Sequence, residues 1–237
     1  MSIKAIIFDL DGTLYDLADI AKVYYDIEIR FLKDYFHKTG EEAAAFLSEN
    51  GVTKEPSEKA KSATDLFYRI GVPKKVWVDF REKYFDPSGI KKEKAVSESV
   101  LREFSEQAPI YLLSSNTYCN IEKILDKIGL APTLFKEVYC SDKSPCGGIF
   151  TKKEVIASLI GELSIQPSEL LSVGDRYNTD VVPALELGAK GAVVKEPAAV
   201  SALLEDLKND RLATGKFYTL YEAAKEEKNG SNATMNG

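Results

Sequence analysis

Ile3-Lys4-Ala5-Ile6-Ile7-Phe8-Asp9-Leu10-Asp11-Gly12-Thr13 opens with an apolar run that stops abruptly at two carboxylates and a glycine. A short run apolar on both faces suits an interior strand of a parallel sheet, covered by helices above and below. In extended chain, residues i and i+2 point the same way, so Asp9 and Asp11 can face one pocket. Gly12 lets the chain turn away at once. Two like charges so close repel unless something positive lies between them. A hard divalent cation with oxygen ligands answers that need, and Mg²⁺ is the usual one.

Outward from this stretch the pattern repeats. Ile110 to Leu113 is apolar and ends at Ser114-Ser115-Asn116; Leu170 to Val173 is apolar and ends at Gly174-Asp175. Gly191 to Val194 and Phe217 to Leu220 are weaker strand candidates. Between them lie helical stripes: Val96, Val100, Leu101 and Phe104; then Ile121, Ile124, Leu125 and Ile128, with Gly129 as a stop; then Val155, Ile156, Leu159, Ile160 and Leu163. Strands alternating with helices predict a doubly wound, Rossmann-like parallel α/β sheet.

Residues 17–90 break the alternation. Ile20, Val23, Tyr24, Ile27, Phe31 and Tyr35 form one amphipathic stripe, and further helices are expected over Glu41–Ser48, Glu58–Ile70 and Lys74–Phe85. Gly51, Gly71-Val72-Pro73 and Asp86-Pro87-Ser88-Gly89 punctuate them. An all-helical block between the first two strands predicts an inserted second domain, a cap, over 17–90. The α/β core is then 1–16 with 91–224, followed by a polar, disordered tail over 225–237.

Composition bounds the function. The chain has 237 residues, 44% of them apolar, enough for a packed core. Thirty-one basic against 37 acidic residues give a net charge of −6, with no long basic run. That excludes a nucleic-acid polymer or an anionic membrane as the main partner, but not a small anionic substrate. Cys119, Cys140 and Cys146 fit no common zinc spacing and read as reduced thiols. With no signal peptide or spanning segment at Met1 to Tyr15, the expected location is cytoplasmic. His37, the only histidine, falls in the helical insertion and reads as solvated.

Four groups of residues carry the candidate chemistry. The first is Asp9 with Asp11. The second is Asp175, at a predicted strand end, where open α/β sheets form their ligand crevice. Asp180 follows it as either a helix cap or a partner that orients the site. The third is Ser115-Asn116, a hydroxyl and backbone N–H groups at a helix start, suited to a phosphate oxygen; Ser114 takes that place if the strand ends one residue earlier. The fourth is a lysine opening a helix, Lys152 or Lys153, where the helix dipole disfavours a cation unless it pairs with carboxylates and a phosphate.

In this order the four segments resemble the haloacid dehalogenase-like hydrolase superfamily, from Ile3 to about Val194. Asp9-Leu10-Asp11-Gly12-Thr13-Leu14 matches its first motif, Ser115-Asn116 the second, Lys152 the third, and Gly174-Asp175 with Asp180 the fourth. Members commonly have Lys-Pro at the third motif; here it is Lys152-Lys153-Glu154, and Lys152 is preferred because it lies 23 residues before Asp175, as in some members where the lysine opens the helix directly. The resemblance implies a helical cap between the first two motifs and a phosphatase mechanism. Asp9 would attack phosphorus, and Asp11 would serve as acid and then base. Mg²⁺ would be held by Asp9, the backbone carbonyl of Asp11 and Asp175, while Ser115, Asn116 and Lys152 would bind phosphate. The implied substrate is a small phosphorylated metabolite.

Other members set the alternatives. Dehalogenases of the family lack the second aspartate, so Asp11 argues against that chemistry. A sugar-phosphate phosphomutase shares every motif and stays open, as does a non-catalytic binding relative. A signalling receiver domain also clusters carboxylates and a lysine, but its acceptor aspartate follows a later strand. The aromatic residues of the insertion, among them Tyr24, Phe31, Phe67 and Trp77, read as its core ahead of a platform for a nucleobase. Arg176 faces either substrate or a surface acid.

Overall fold

The computed structural model describes residues 3–55, 60–142 and 151–209, and the backbone of 217–219. The chain divides into two compact units: Met1–Asp16 with Lys91–Gly237, and Leu17–Ile90. The expected tail over 225–237, Cys146 and Leu220 lie outside the described residues.

The first unit is built on a parallel sheet of six strands: β1 (Ala5–Phe8), β2 (Ile110–Leu113), β3 (Val138–Tyr139), β4 (Leu170–Gly174), β5 (Lys190–Val193) and β6 (Phe217–Thr219). Their spatial order is β3-β2-β1-β4-β5-β6, a Rossmann-like arrangement. β3 has no counterpart among the strands that the sequence predicts. Two residues long, it carries no apolar run and is recognisable only by its pairing, Leu112 with Val138 and Leu113 with Tyr139.

Side chains alternate across β1. Ala5 and Ile7 join Tyr111, Leu113, Val155, Ile156, Leu159 and Ala184 in one buried cluster. Phe8 turns to the opposite face and meets Phe104 edge-on at 5.0 Å. The helices behind these contacts are α5 (Glu98–Gln107) on one face and α7 (Lys152–Leu163) with α8 (Val182–Leu185) on the other. Both faces are therefore dry, which is why β1, β2 and β4 are buried along their whole length. Among the described residues the remaining α-helices of this unit are α6 (Tyr118–Ile128) and α9 (Ala198–Lys208). Gly129 ends α6 in the left-handed region at φ 79°, its N–H returning to Leu125 and Asp126.

The second unit holds α1 (Ala21–Phe36), α2 (Gly40–Glu49), α3 (Ala63–Arg69) and α4 (Lys74–Tyr84). The third helix starts later than its pattern predicts, because Ser62 caps it by accepting from Asp65 N–H. Thr39 and Glu42 make a reciprocal capping box at α2. Phe31 is the hub of the unit's core: its ring lies 4.9 Å from those of Phe67 and Trp77 and 5.1 Å from that of Phe80. These rings serve as core, as expected of the majority of them. Trp77 Nε1 donates to Thr64 Oγ1 at 2.9 Å, so the buried indole is satisfied. Among the described residues no helix is long and apolar enough to cross a membrane.

Truncating the hub, Phe31→Ala, should cost about 3–5 kcal/mol by chemical denaturation, since the cavity cannot collapse within a ring of aromatics. Glu28, half-buried on α1, is a second lever. Burial pushes its carboxyl up to about 7, opposed by Arg81. The folded state thus favours the protonated form, and stability present at acidic pH is lost as pH rises through 7. Glu28→Gln should therefore stabilise the protein at pH 8, by on the order of 1 kcal/mol, and leave it unchanged at pH 4, as read by thermal unfolding at the two pH values.

Candidate active site

The sheet order makes the site. From β1 the chain steps outward to β2 and β3, then crosses back to β4 on the other side of β1. Connections leaving β1 and β4 thus diverge, opening a crevice at their carboxyl ends. Asp9 follows β1 there, its N–H bonded to Val173 O at 2.8 Å. Asp175 follows β4 one strand away.

Two glycines allow the approach. Gly12 turns at φ 84°, and a Cβ on it would lie 2.5 Å from Asp175 Oδ2. A Cβ on Gly174 would lie 2.2 Å from the Asp180 Cβ. Any side chain at either position would push a carboxylate out of the crevice.

Ligand oxygens of Asp9, Asp175 and Asp180 fall within 4.8 Å of one another. Asp9 and Asp180 are buried, at 8% and 3% exposure. Lys152, the first residue of α7, reaches into this cluster: its Nζ is 2.5 Å from Asp9 Oδ1 and 2.7 Å from Asp180 Oδ1. Thr151 caps the helix just ahead by accepting from Glu154 N–H. A cation at a helix N-terminus opposes the dipole, and two buried carboxylates offset that cost. Lys153 points elsewhere and pairs with exposed Glu186 at 2.7 Å.

Asp180 lies in a π-helical turn, Tyr177–Val181. Its Oδ1 accepts from Lys152 and Thr179, and its Oδ2 from Arg176 N–H at 2.8 Å. It therefore braces both the lysine and the loop that carries Asp175. By contrast, among the described residues Asp175 Oδ1 is buried with no hydrogen-bond partner and Asp9 Oδ2 receives no hydrogen bond. Burial pushes the Asp9 carboxyl up to about 7, with Lys152 opposing and Asp180 and Asp11 adding to the rise. Burial likewise pushes Asp175 up to about 8, reinforced by Asp9 and Asp180. Burial works against the Lys152 ammonium, but Asp180 and Asp9 outweigh it and raise its pKa. Three carboxylates face the Lys152 ammonium and, at Asp175, the opposing charge of Arg176, so negative charge remains in excess. The orphaned Asp175 oxygen and these all-oxygen donors fit a divalent cation.

The remaining predicted residues divide. The Asp11 carboxylate is not one of the cluster of three. Its Oδ2 accepts from Asn116 Nδ2 at 2.7 Å and from Ser114 Oγ at 3.4 Å, and its Oδ1 accepts from the Tyr15 hydroxyl. Ser114 is buried and Ser115 exposed. Asn116 is buried and directs its amide to Asp11. Sequence reasoning gives Tyr15 no role. The one signal it carries is its place four residues after Asp11, on the same loop.

A family model described as haloacid dehalogenase-like hydrolase matches residues 3–188. No curated protein sequence gives a significant match. Among solved structures, the chain resembles a HAD phosphatase of Thermococcus onnurineus at 19% identity and TM-score 0.56, over 81% of this chain and 86% of that one. A haloacid dehalogenase-like family hydrolase of Streptococcus pneumoniae matches at 17% identity and TM-score 0.53, over 92% and 94%. A 2-haloacid dehalogenase of Pseudomonas syringae matches at 16% identity and TM-score 0.53, over 88% and 99%. At these identities the likeness is one of fold.

Because the folded state holds protons on Asp9 and Asp175 that the unfolded chain releases, stability of the metal-free protein should fall as pH rises from about 4 through 8. Asp175→Asn should then raise the melting temperature of metal-free protein at pH 8 and not at pH 4. Millimolar MgCl₂ should stabilise the wild type at pH 8 and leave Asp175→Asn unmoved, a comparison that thermal-shift measurements make directly.

Proposed function

The chain belongs to the haloacid dehalogenase-like hydrolase family, and from that premise we propose that it hydrolyses a small phosphate monoester, with Mg²⁺ as cofactor and Asp9 as nucleophile. The observation that carries this reading is the meeting of Asp9, Asp175 and Asp180 within 4.8 Å of one another, with Lys152 Nζ bonded to Asp9 and Asp180. Asp11 selects phosphoryl transfer within the family, because displacement of halide from carbon has no alkoxide to protonate.

Asp9, Asp175 and the backbone carbonyl of Asp11 would hold Mg²⁺, which when bound offsets the negative charge shared by nucleophile and phosphate. The Lys152 ammonium, braced by Asp180, holds Asp9 in place and offers positive charge to a transferring phosphoryl group. Asp9 Oδ2 attacks phosphorus; the ester P–O bond breaks, and Asp11 gives its proton to the departing alkoxide. Water then gives a proton to Asp11 and attacks the aspartyl-phosphate, releasing inorganic phosphate and restoring Asp9. Ser115 and Asn116, at the start of α6, would contact the phosphoryl oxygens. The helical unit, residues 17–90, is assigned the role of the family's cap.

Wild-type protein should release inorganic phosphate from p-nitrophenyl phosphate only with Mg²⁺ present, and chelation should abolish turnover. Asp9→Asn should lower the rate by at least about 10³-fold and form no acid-trapped phospho-enzyme. Full turnover by that variant would overturn the assignment.

A further inference from the structure

We propose that Tyr15 is a positioning residue for Asp11: with Asn116 it grips both oxygens of that carboxylate and fixes the direction in which Asp11 passes its proton. The proposal rests on the acid–base role of Asp11 given above and adds the groups that make the role geometrically possible.

Tyr15 is fully buried. Its hydroxyl donates to Asp11 Oδ1, and a bond from a neutral donor to a carboxylate is among the stronger ones available. The tight loop makes this contact local. Thr13 and Leu14 N–H groups both return to Leu10 O, and the backbones of Asp11 and Tyr15 form a bridge. Leu14 O accepts from Val96 N–H at 2.8 Å, which ties the far side of the loop to the chain entering α5.

The second oxygen is held from another strand. Asn116 follows β2, and its Nδ2 lies 2.7 Å from Asp11 Oδ2. Asn116 is itself fixed: its N–H donates to Ser114 Oγ at 3.1 Å, and its carbonyl accepts from both the N–H and the Oγ of Ser141, each at 3.0 Å. A carboxylate with a donor on each oxygen cannot rotate about its Cβ–Cγ bond without breaking one of them. Among the described residues no such clamp reaches Asp9 Oδ2 or Asp175 Oδ1. Orientation of this kind matters most for the group that must meet a leaving oxygen of fixed position, since small misplacements cost rate steeply.

Tyr15→Phe removes one oxygen and keeps the buried ring, so the test separates proton delivery from packing. The probes are p-nitrophenyl phosphate, whose phenolate departs readily without a proton, and p-methylphenyl phosphate, whose tyrosine-like phenolate, with a pKa of about 10, needs one. For Tyr15→Phe, kcat/KM should fall at least about 10-fold on the methyl ester and less than about 3-fold on the nitro ester, with KM little changed on both. Equal losses on the two esters, or none on either, would refute the positioning role, because loosened packing has no reason to sense the leaving group. Asn116→Ala withdraws the donor on the other oxygen. Because Asn116 is also assigned to the phosphoryl group, both esters should lose kcat/KM, and the readout is their ratio. The methyl ester should lose at least about 3-fold more than the nitro ester, and equal losses would refute the positioning role even if Tyr15→Phe does not fold. Failure of the wild type to hydrolyse either ester would instead remove the acid–base reading of Asp11, and this proposal with it.

Discussion

Negative charge buried at the mouth of a parallel sheet is the constraint around which this protein is arranged. Asp9, Asp175 and Asp180 converge within 4.8 Å, two of them buried and Asp175 partly so, where water screens them weakly. Lys152 supplies an ammonium that bonds to two of the three carboxylates, those of Asp9 and Asp180. Its position at the first turn of α7 is unfavourable for a cation taken alone. The carboxylates reverse that preference, and so the charge cluster and the docking of α7 on the sheet support each other. The raised affinity of Asp9 and Asp175 for protons expresses the same imbalance, since what remains after Lys152 is an excess of negative charge.

Backbone chemistry makes the cluster possible before any charge is considered. Strands β1 and β4 are neighbours whose connections leave in opposite directions, so the carboxylates following each share one crevice. Gly12 and Gly174 remove the two Cβ atoms that would otherwise stand where Asp175 and Asp180 are. Substitution at either would act on the site through sterics, without touching a charged group.

Two carboxylates only two residues apart occupy different surroundings. Asp9 is buried and shares its oxygen with a lysine, whereas Asp11 is partly exposed and held by a phenol, an amide and a hydroxyl. Separate environments are what allow neighbouring acids to take separate chemical roles. The proposed division between nucleophile and acid–base has this contrast as its structural basis.

The apolar runs ending at Phe8, Leu113 and Val173, each followed by polar residues and a helical stripe, are enough to read a doubly wound sheet, because burial on both faces leaves a local signature. The helical character of residues 17–90 is legible for the same reason. β3 is not, since a two-residue strand exists only through its partner. Local sequence also names Asp9, Asp11, Asp175 and a lysine at 152 or 153 as candidates, because residue type and strand-end position are local properties. Whether Lys152 or Lys153 turns inward depends on the phase of α7 against the sheet. That Asp180 braces the lysine, that Asn116 faces Asp11, and that Tyr15 closes on its other oxygen are likewise decided by how the loops and strand ends pack together. Sequence pattern determined which groups stand at the strand ends; tertiary structure alone decided which of them touch, because hydrogen-bond partnership is set by distances that only the assembled sheet and helices define.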